Sequence, residues 1–201
     1  MKNAKKLVCG IGINDSDCHV QPTINGKQQY CKFYTAWVHM LKRCYCAKSQ
    51  ARNPSYSGCT VDSRWHKFSE FKAWMMAEDW QGKQLDKDIL VPGNKVYSPD
   101  TCCFVDAKTN KFLTDSAAAR GEYPIGVSFH QRDQKFKSEC SNPLSKKREF
   151  LGYFTCPDKA HQAWRKRKHE HACQLADLQT NHKVANALRN RFAPELLGDN
   201  F

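Results

Sequence analysis

The chain has 201 residues, 40% hydrophobic and 26% charged, which suits one large or two small folded domains and excludes a disordered polymer. Its apolar runs are only a few residues long, and no signal-peptide core follows the lysine-bearing start, so a cytoplasmic protein without a membrane partner is expected. Lys and Arg number 32 against 20 Asp and Glu; the net charge of +12 points to an anionic partner, because phosphate contacts need clustered cations.

Residues 1–30 read as an irregular arm, with turn formers Gly10, Gly12, Asn14, Asp15 and Asp17 and a further turn at Asn25-Gly26. From Cys31 to Cys46, the residues Tyr34, Trp37, Leu41, Cys44 and Tyr45 recur at intervals of three and four, which predicts a helix. Asn53-Pro54 and Ser57-Gly58 then break the chain, and Cys59 to Val61 reads as a short strand. A second helix is expected from Ser63 or Ser69, with Phe68, Phe71, Trp74 and Met75 as its packing stripe. Leu85 to Val105 reads as two short strands about Pro92-Gly93-Asn94, and residues 106–120 as a helix running through Ala117-Ala118-Ala119. Arg120-Gly121 marks the expected domain boundary.

Beyond it come three extended segments, Gly126–His130, Lys135–Cys140 and Arg148–Tyr153. A period of two places Ser128 and His130, then Lys135, Lys137, Glu139 and Ser141, then Arg148 and Phe150 on one face. The opposite face carries Val127, Phe129, Phe136, Cys140 and Leu151. Pro157 opens a helix whose stripe is Ala160, Trp164, Ala172, Leu175 and Leu178, with Arg165-Lys166-Arg167-Lys168 on its exposed face. That helix would cover the apolar side of the sheet and leave the basic side free to enter a major groove. Residues 181–201 are a C-terminal tail.

Tyr123-Pro124-Ile125-Gly126-Val127, Lys135-Phe136, Phe150-Leu151-Gly152-Tyr153-Phe154, Pro157 and Ala160 to Trp164 resemble the AP2 DNA-binding domain. The resemblance covers about a quarter of the chain. It implies double-stranded DNA as partner, with base contacts from Ser128, His130, Glu139, Ser141, Arg148 and Phe150 and phosphate contacts from Arg132 and Lys137. Several positions that are Arg in the family are Ser or His here, so the family's target sequence does not transfer.

Leu85-Asp86-Lys87-Asp88, Tyr97-Ser98-Pro99-Asp100-Thr101-Cys102, Phe104-Val105 and Asn110 resemble phage HNH endonucleases, with Arg43-Cys44-Tyr45, Trp65, Phe68, Phe71 and Trp74 as the supporting helices. The implied fold is α+β: a degenerate HNH ββα-metal core in residues 31–120, then an AP2-like three-stranded antiparallel sheet packed on one helix in residues 121–180. The resemblance implies a DNA endonuclease with a homing role, in which Asp86 and Asn110 hold one Mg²⁺ or Mn²⁺ for phosphodiester hydrolysis. It departs from the family where Lys87 occupies the place of the general-base histidine, since lysine is protonated at neutral pH. Thr101 stands where the family has a strand-bracing asparagine. The alternative is a DNA-binding regulator, or inhibitor of a host system, without nuclease activity. His19, His39 and His66 are the other candidate bases, and Asp88 is a second carboxylate or a salt-bridge partner.

The 11 cysteines are odd in number and include no CxxC pair, which argues against a disulfide framework and for reduced core thiols. Cys44, Cys59 and Cys102 with one further ligand are the candidate set for a structural Zn²⁺.

Overall fold

Helix α1 (Lys32–Tyr45) buries Trp37, Met40, Leu41 and Cys44, a stripe at helical spacing. In the computed structural model, which describes residues 7–17, 19–114 and 121–193, this stripe is the floor of the first of two units. The units are Met1–Asp106 and Ala107–Phe201, and both mix helices with small sheets.

In the N-terminal unit the Trp37 indole donates to the Trp65 carbonyl at 2.8 Å, so the largest core side chain leaves no polar atom orphaned. Helix α2 (Ala47–Arg52) follows α1 directly. The expected second helix is two elements. Asp62 accepts the Arg64 amide and starts a 3₁₀ turn at Ser63–Trp65, and α3 (Phe68–Met76) begins after it. Asp15, from the N-terminal arm, accepts from the Ser69 amide at 2.9 Å and the Ser69 hydroxyl at 2.6 Å, capping α3 from a distant part of the chain. The arm is thus tied to the core. Gly12 lies so close beneath α1 that a Cβ there would sit 2.4 Å from Leu41 Cδ1. Strands β1 (Thr23–Ile24) and β2 (Lys27–Gln28) make a hairpin whose turn residues Asn25 and Gly26 both have positive φ, as a type I′ turn requires.

The Leu85–Val105 region is not a single local hairpin. Strand β4 (Gln84–Asp86) pairs antiparallel with β6 (Cys103–Val105), whereas β5 (Val96–Tyr97) pairs parallel with β3 (Thr60–Val61). The amides of Thr60 and Asp62 donate to Lys95 and Tyr97, which draws β5 away from β4. The Tyr97 ring is then buried, with the Arg43 guanidinium 5.2 Å from its centre.

The C-terminal unit begins with α4 (Ala107–Leu113); Ala117-Ala118-Ala119 lies outside the described residues. Strands β7 (Val127–His130), β8 (Lys135–Ser141) and β9 (Arg148–Phe154) form an antiparallel sheet with β8 in the middle. Helix α5 (Pro157–Asp177) covers one face. Ser138, fully buried at the centre of that face, donates to the Ala160 carbonyl at 2.7 Å. Gly126, with φ +83, lies against Trp164, where an added Cβ would come within 2.0 Å of the indole.

The α5 stripe is Ala160, Trp164, His171, Ala172, Leu175 and Ala176. Leu178 lies past the helix end and is 62% exposed, contrary to the pattern reading. Nor does the basic run Arg165–Lys168 share one outward face, because successive helical residues are about 100° apart. Lys168 turns inward. Its ammonium donates to the Phe112 carbonyl at 2.7 Å and lies 3.6 Å from the Phe112 ring centre, and burial pushes its pKa down to about 8. The expected tail contains helix α6 (His182–Arg191), capped by Asn181 and packed on α5 through Val184, Ala185 and Leu188.

Candidate nucleic-acid interface and the Asp86 loop

Strand register assembles the outer face of the sheet. Ser128 lies opposite Lys137, His130 opposite Lys135, Glu139 opposite Phe150, and Ser141 opposite Arg148. Seven of the eight predicted nucleic-acid contacts, Ser128, His130, Lys137, Glu139, Ser141, Arg148 and Phe150, therefore stand on one surface. Arg132, the eighth, projects from the β7–β8 turn and is exposed.

One residue of this surface escaped strand periodicity. Ser138 pairs with Gly152 while Glu139 pairs with Phe150, so Leu151 is an extra residue in β9. The bulge restarts the alternation and turns Tyr153 to the outer face, 41% exposed. The sequence signal was Gly152, with φ +130, since a glycine inside a strand marks a bulge.

The face is cationic with two embedded carboxylates. Glu139 bridges Lys137 at 2.8 Å and Arg148 at 3.7 Å, and Asp133 lies 3.3 Å from His130 and 3.2 Å from Arg132. Lys135, Lys146 and Lys147 add exposed positive charge. Beneath them, Glu149 joins sheet to helix. It accepts from Asn142 at 2.8 Å, faces the buried His171 at 3.1 Å and pairs with Arg167 at 3.3 Å. The Asn142 hydrogen bond holds the Glu149 carboxyl below the usual carboxylate range, helped by the charges of His171 and Arg167. Asn142 also accepts the amides of Leu144 and Ser145, shaping the turn that presents Lys146 and Lys147.

The predicted metal ligands, and Lys87 in the place of the general-base histidine, are not on this sheet. Asp86 ends β4 in the N-terminal unit, and Asn110 stands on α4 in the C-terminal unit. Asp86 Oδ1 accepts the amides of Asp88 and Ile89 at 2.8 and 2.9 Å, closing an Asx turn. Burial and the neighbouring Asp88 carboxylate raise its pKa. Two adjacent carboxylates are a donor set suited to Mg²⁺ or Mn²⁺. The buried Lys87 ammonium already donates to Asp88 at 2.9 Å, and among the described residues no group of three His, Cys, Asp or Glu side chains is placed to hold a metal.

The loop is held by Asn94, which the sequence presented only as a turn former. Its amide donates to the carbonyls of Lys87 at 2.6 Å and Val96 at 2.7 Å, and its oxygen accepts the Val96 amide at 3.0 Å. Thr101, in the expected asparagine position, adds a hydroxyl bond to the same Val96 carbonyl.

The remaining candidates are dispersed. His19 is exposed, and burial on α1 lowers the pKa of His39. The His66 Nε2 lies 3.1 Å from the Val61 carbonyl. Cys44, Cys59 and Cys102 share the apolar core, where burial pushes the thiols of Cys44 and Cys102 up to about 12. No family model, no curated protein and no solved structure matches this chain.

Proposed function

We propose that this protein binds duplex DNA by docking the outer face of the β7–β8–β9 sheet in the major groove, as its resemblance to AP2 domains implies. The observation that carries the reading is the register that lines Lys137, Glu139, Arg148, His130 and Phe150 along one solvent-facing surface while α5 covers the other. Three strands about 4.8 Å apart span roughly 10 Å, which fits a major groove about 12 Å wide. Arg132, Lys146 and Lys147 flank the strands where the phosphates would run. The test is a salt series with duplex DNA and RNA of matched sequence. Duplex DNA binds more tightly, with log K falling linearly against log salt; tighter RNA binding at every salt concentration refutes the proposal.

A second reading, a metal-assisted HNH-type endonuclease, is favoured by the Asn94-braced loop that presents Asp86 beside Asp88. Asp86, with Asp88 beside it, would hold Mg²⁺ or Mn²⁺, which when bound would polarise the scissile phosphate. Within the chain, the Lys87 ammonium is ion-paired with Asp88 at 2.9 Å. This favours a DNA-binding protein, a regulator or an inhibitor of a host system, over an active nuclease. Plasmid nicking with Mg²⁺ or Mn²⁺ separates the two: cleavage by the wild-type protein that Asp86→Ala abolishes establishes the nuclease.

A further inference from the structure

The outer face of the sheet carries apolar surface as well as charge. Phe150 is 55% exposed and Tyr153 41% exposed, although the opposite face already buries apolar side chains against α5. The ring centres of Phe150 and Tyr153 are 5.1 Å apart, and those of Tyr153 and His130 are 5.2 Å apart. His130 is on β7 and the other two are on β9, so the rings form a strip across all three strands. Tyr153 belongs to it only because the Leu151 bulge rotates it outward. The Lys137–Glu139–Arg148 chain of ion pairs runs beside the strip.

Cations and hydrogen-bonding side chains suffice for phosphates and for most base edges. The apolar group that a base pair presents in the major groove is the C5 methyl of thymine, and a phenyl ring is one of the side chains that contacts it. A platform for unstacked bases needs open ring faces. Here Tyr153 has a ring on each side, at interplanar angles of 62° to Phe150 and 54° to His130, which makes a ridge rather than two flat platforms.

We infer that the Phe150–Tyr153 ridge recognises the C5 methyl groups of pyrimidines, so that the sheet prefers thymine-bearing duplexes to the same duplexes lacking those methyls. The inference rests on the duplex-binding reading above. It assigns to Phe150 and Tyr153 a share of specificity that the cations do not provide.

The test uses the full chain and two random-sequence duplex pools, one made with thymidine and one with deoxyuridine. The pools carry the same charges and hydrogen-bonding groups and differ only in the methyls. The thymidine pool is expected to bind more tightly by about 4-fold for each methyl the ridge buries. Phe150→Ala and Tyr153→Ala bring the ratio of the two affinities toward one. Phe150→Leu, which keeps an apolar contact, retains most of it. Equal affinity of the wild-type protein for the two pools overturns the methyl inference and leaves duplex binding standing. Failure to bind either pool overturns both. Tighter binding of a single-stranded thymidine pool than of either duplex overturns the major-groove ridge in favour of base stacking.

Discussion

The two units use their charged side chains in opposite ways. Around Asp86 in the N-terminal unit, polar groups are turned on one another: Asp86 closes an Asx turn, Lys87 holds Asp88, and Asn94 ties the loop to β5. In the C-terminal unit the internal polar network of Glu149, Asn142, Arg167 and His171 lies on one side of the sheet. Lys137, Glu139 and Arg148 stand on the other side, joined to one another but facing solvent. A loop whose charges satisfy each other suits a stable fold. A cationic face with exposed aromatic rings suits a polyanion, because its charges gain most when an external partner replaces water.

Substitutions can break this contrast from either side. The largest expected effect is on the N-terminal core. Trp37→Ala removes a fully buried indole and leaves the Trp65 carbonyl without its donor, lowering stability by about 3–5 kcal/mol in denaturant unfolding. Gly126→Ala follows, costing roughly 3 kcal/mol through positive φ and overpacking against Trp164. Retention of wild-type stability would mean that the sheet–helix junction is not built as described.

Asn94→Ala removes three hydrogen bonds from the Asp86 loop and is expected to cost about 1–3 kcal/mol. Unchanged stability would show that Thr101 suffices as the brace. Arg148→Ala leaves the fold intact and weakens duplex binding by about 1–3 kcal/mol. Unchanged affinity would remove Arg148 from the contact surface.

The smallest effects lie in pH dependence, where stability rises with pH in both units but across different windows. Lys168 has a folded pKa of about 8, below its ordinary value near 10.4. Between these values the unfolded chain binds more protons, so the stability of the C-terminal unit rises with pH across this window. The rise is absent in Lys168→Met. In the N-terminal unit, hydrogen bonds from Arg64 pull Asp62 down to about 2. Its contribution is complete above about pH 4 and disappears as pH falls toward 2, and solvent screening keeps it small. Asp62→Asn abolishes that acid-limb dependence.

Local pattern alone determined the three strands and the long helix of the C-terminal unit, because a period of two and a helical stripe are written in adjacent residues such as Phe136, Lys137 and Ser138 or Ala160 and Trp164. It also determined most of the outer face, since alternation assigns sides before any partner strand is known. Tertiary structure decided everything that depends on distant segments. The pairing of β5 with β3 requires residues some 36 positions apart to meet. The inward turn of Lys168 depends on Phe112, and the capping of α3 depends on Asp15. The Leu151 bulge needs β8 as a ruler before its extra residue can be counted. The role of Asn94 was hidden for the same reason: an asparagine after glycine reads locally as a turn, and only the folded loop brings the Lys87 and Val96 carbonyls within reach of its side chain.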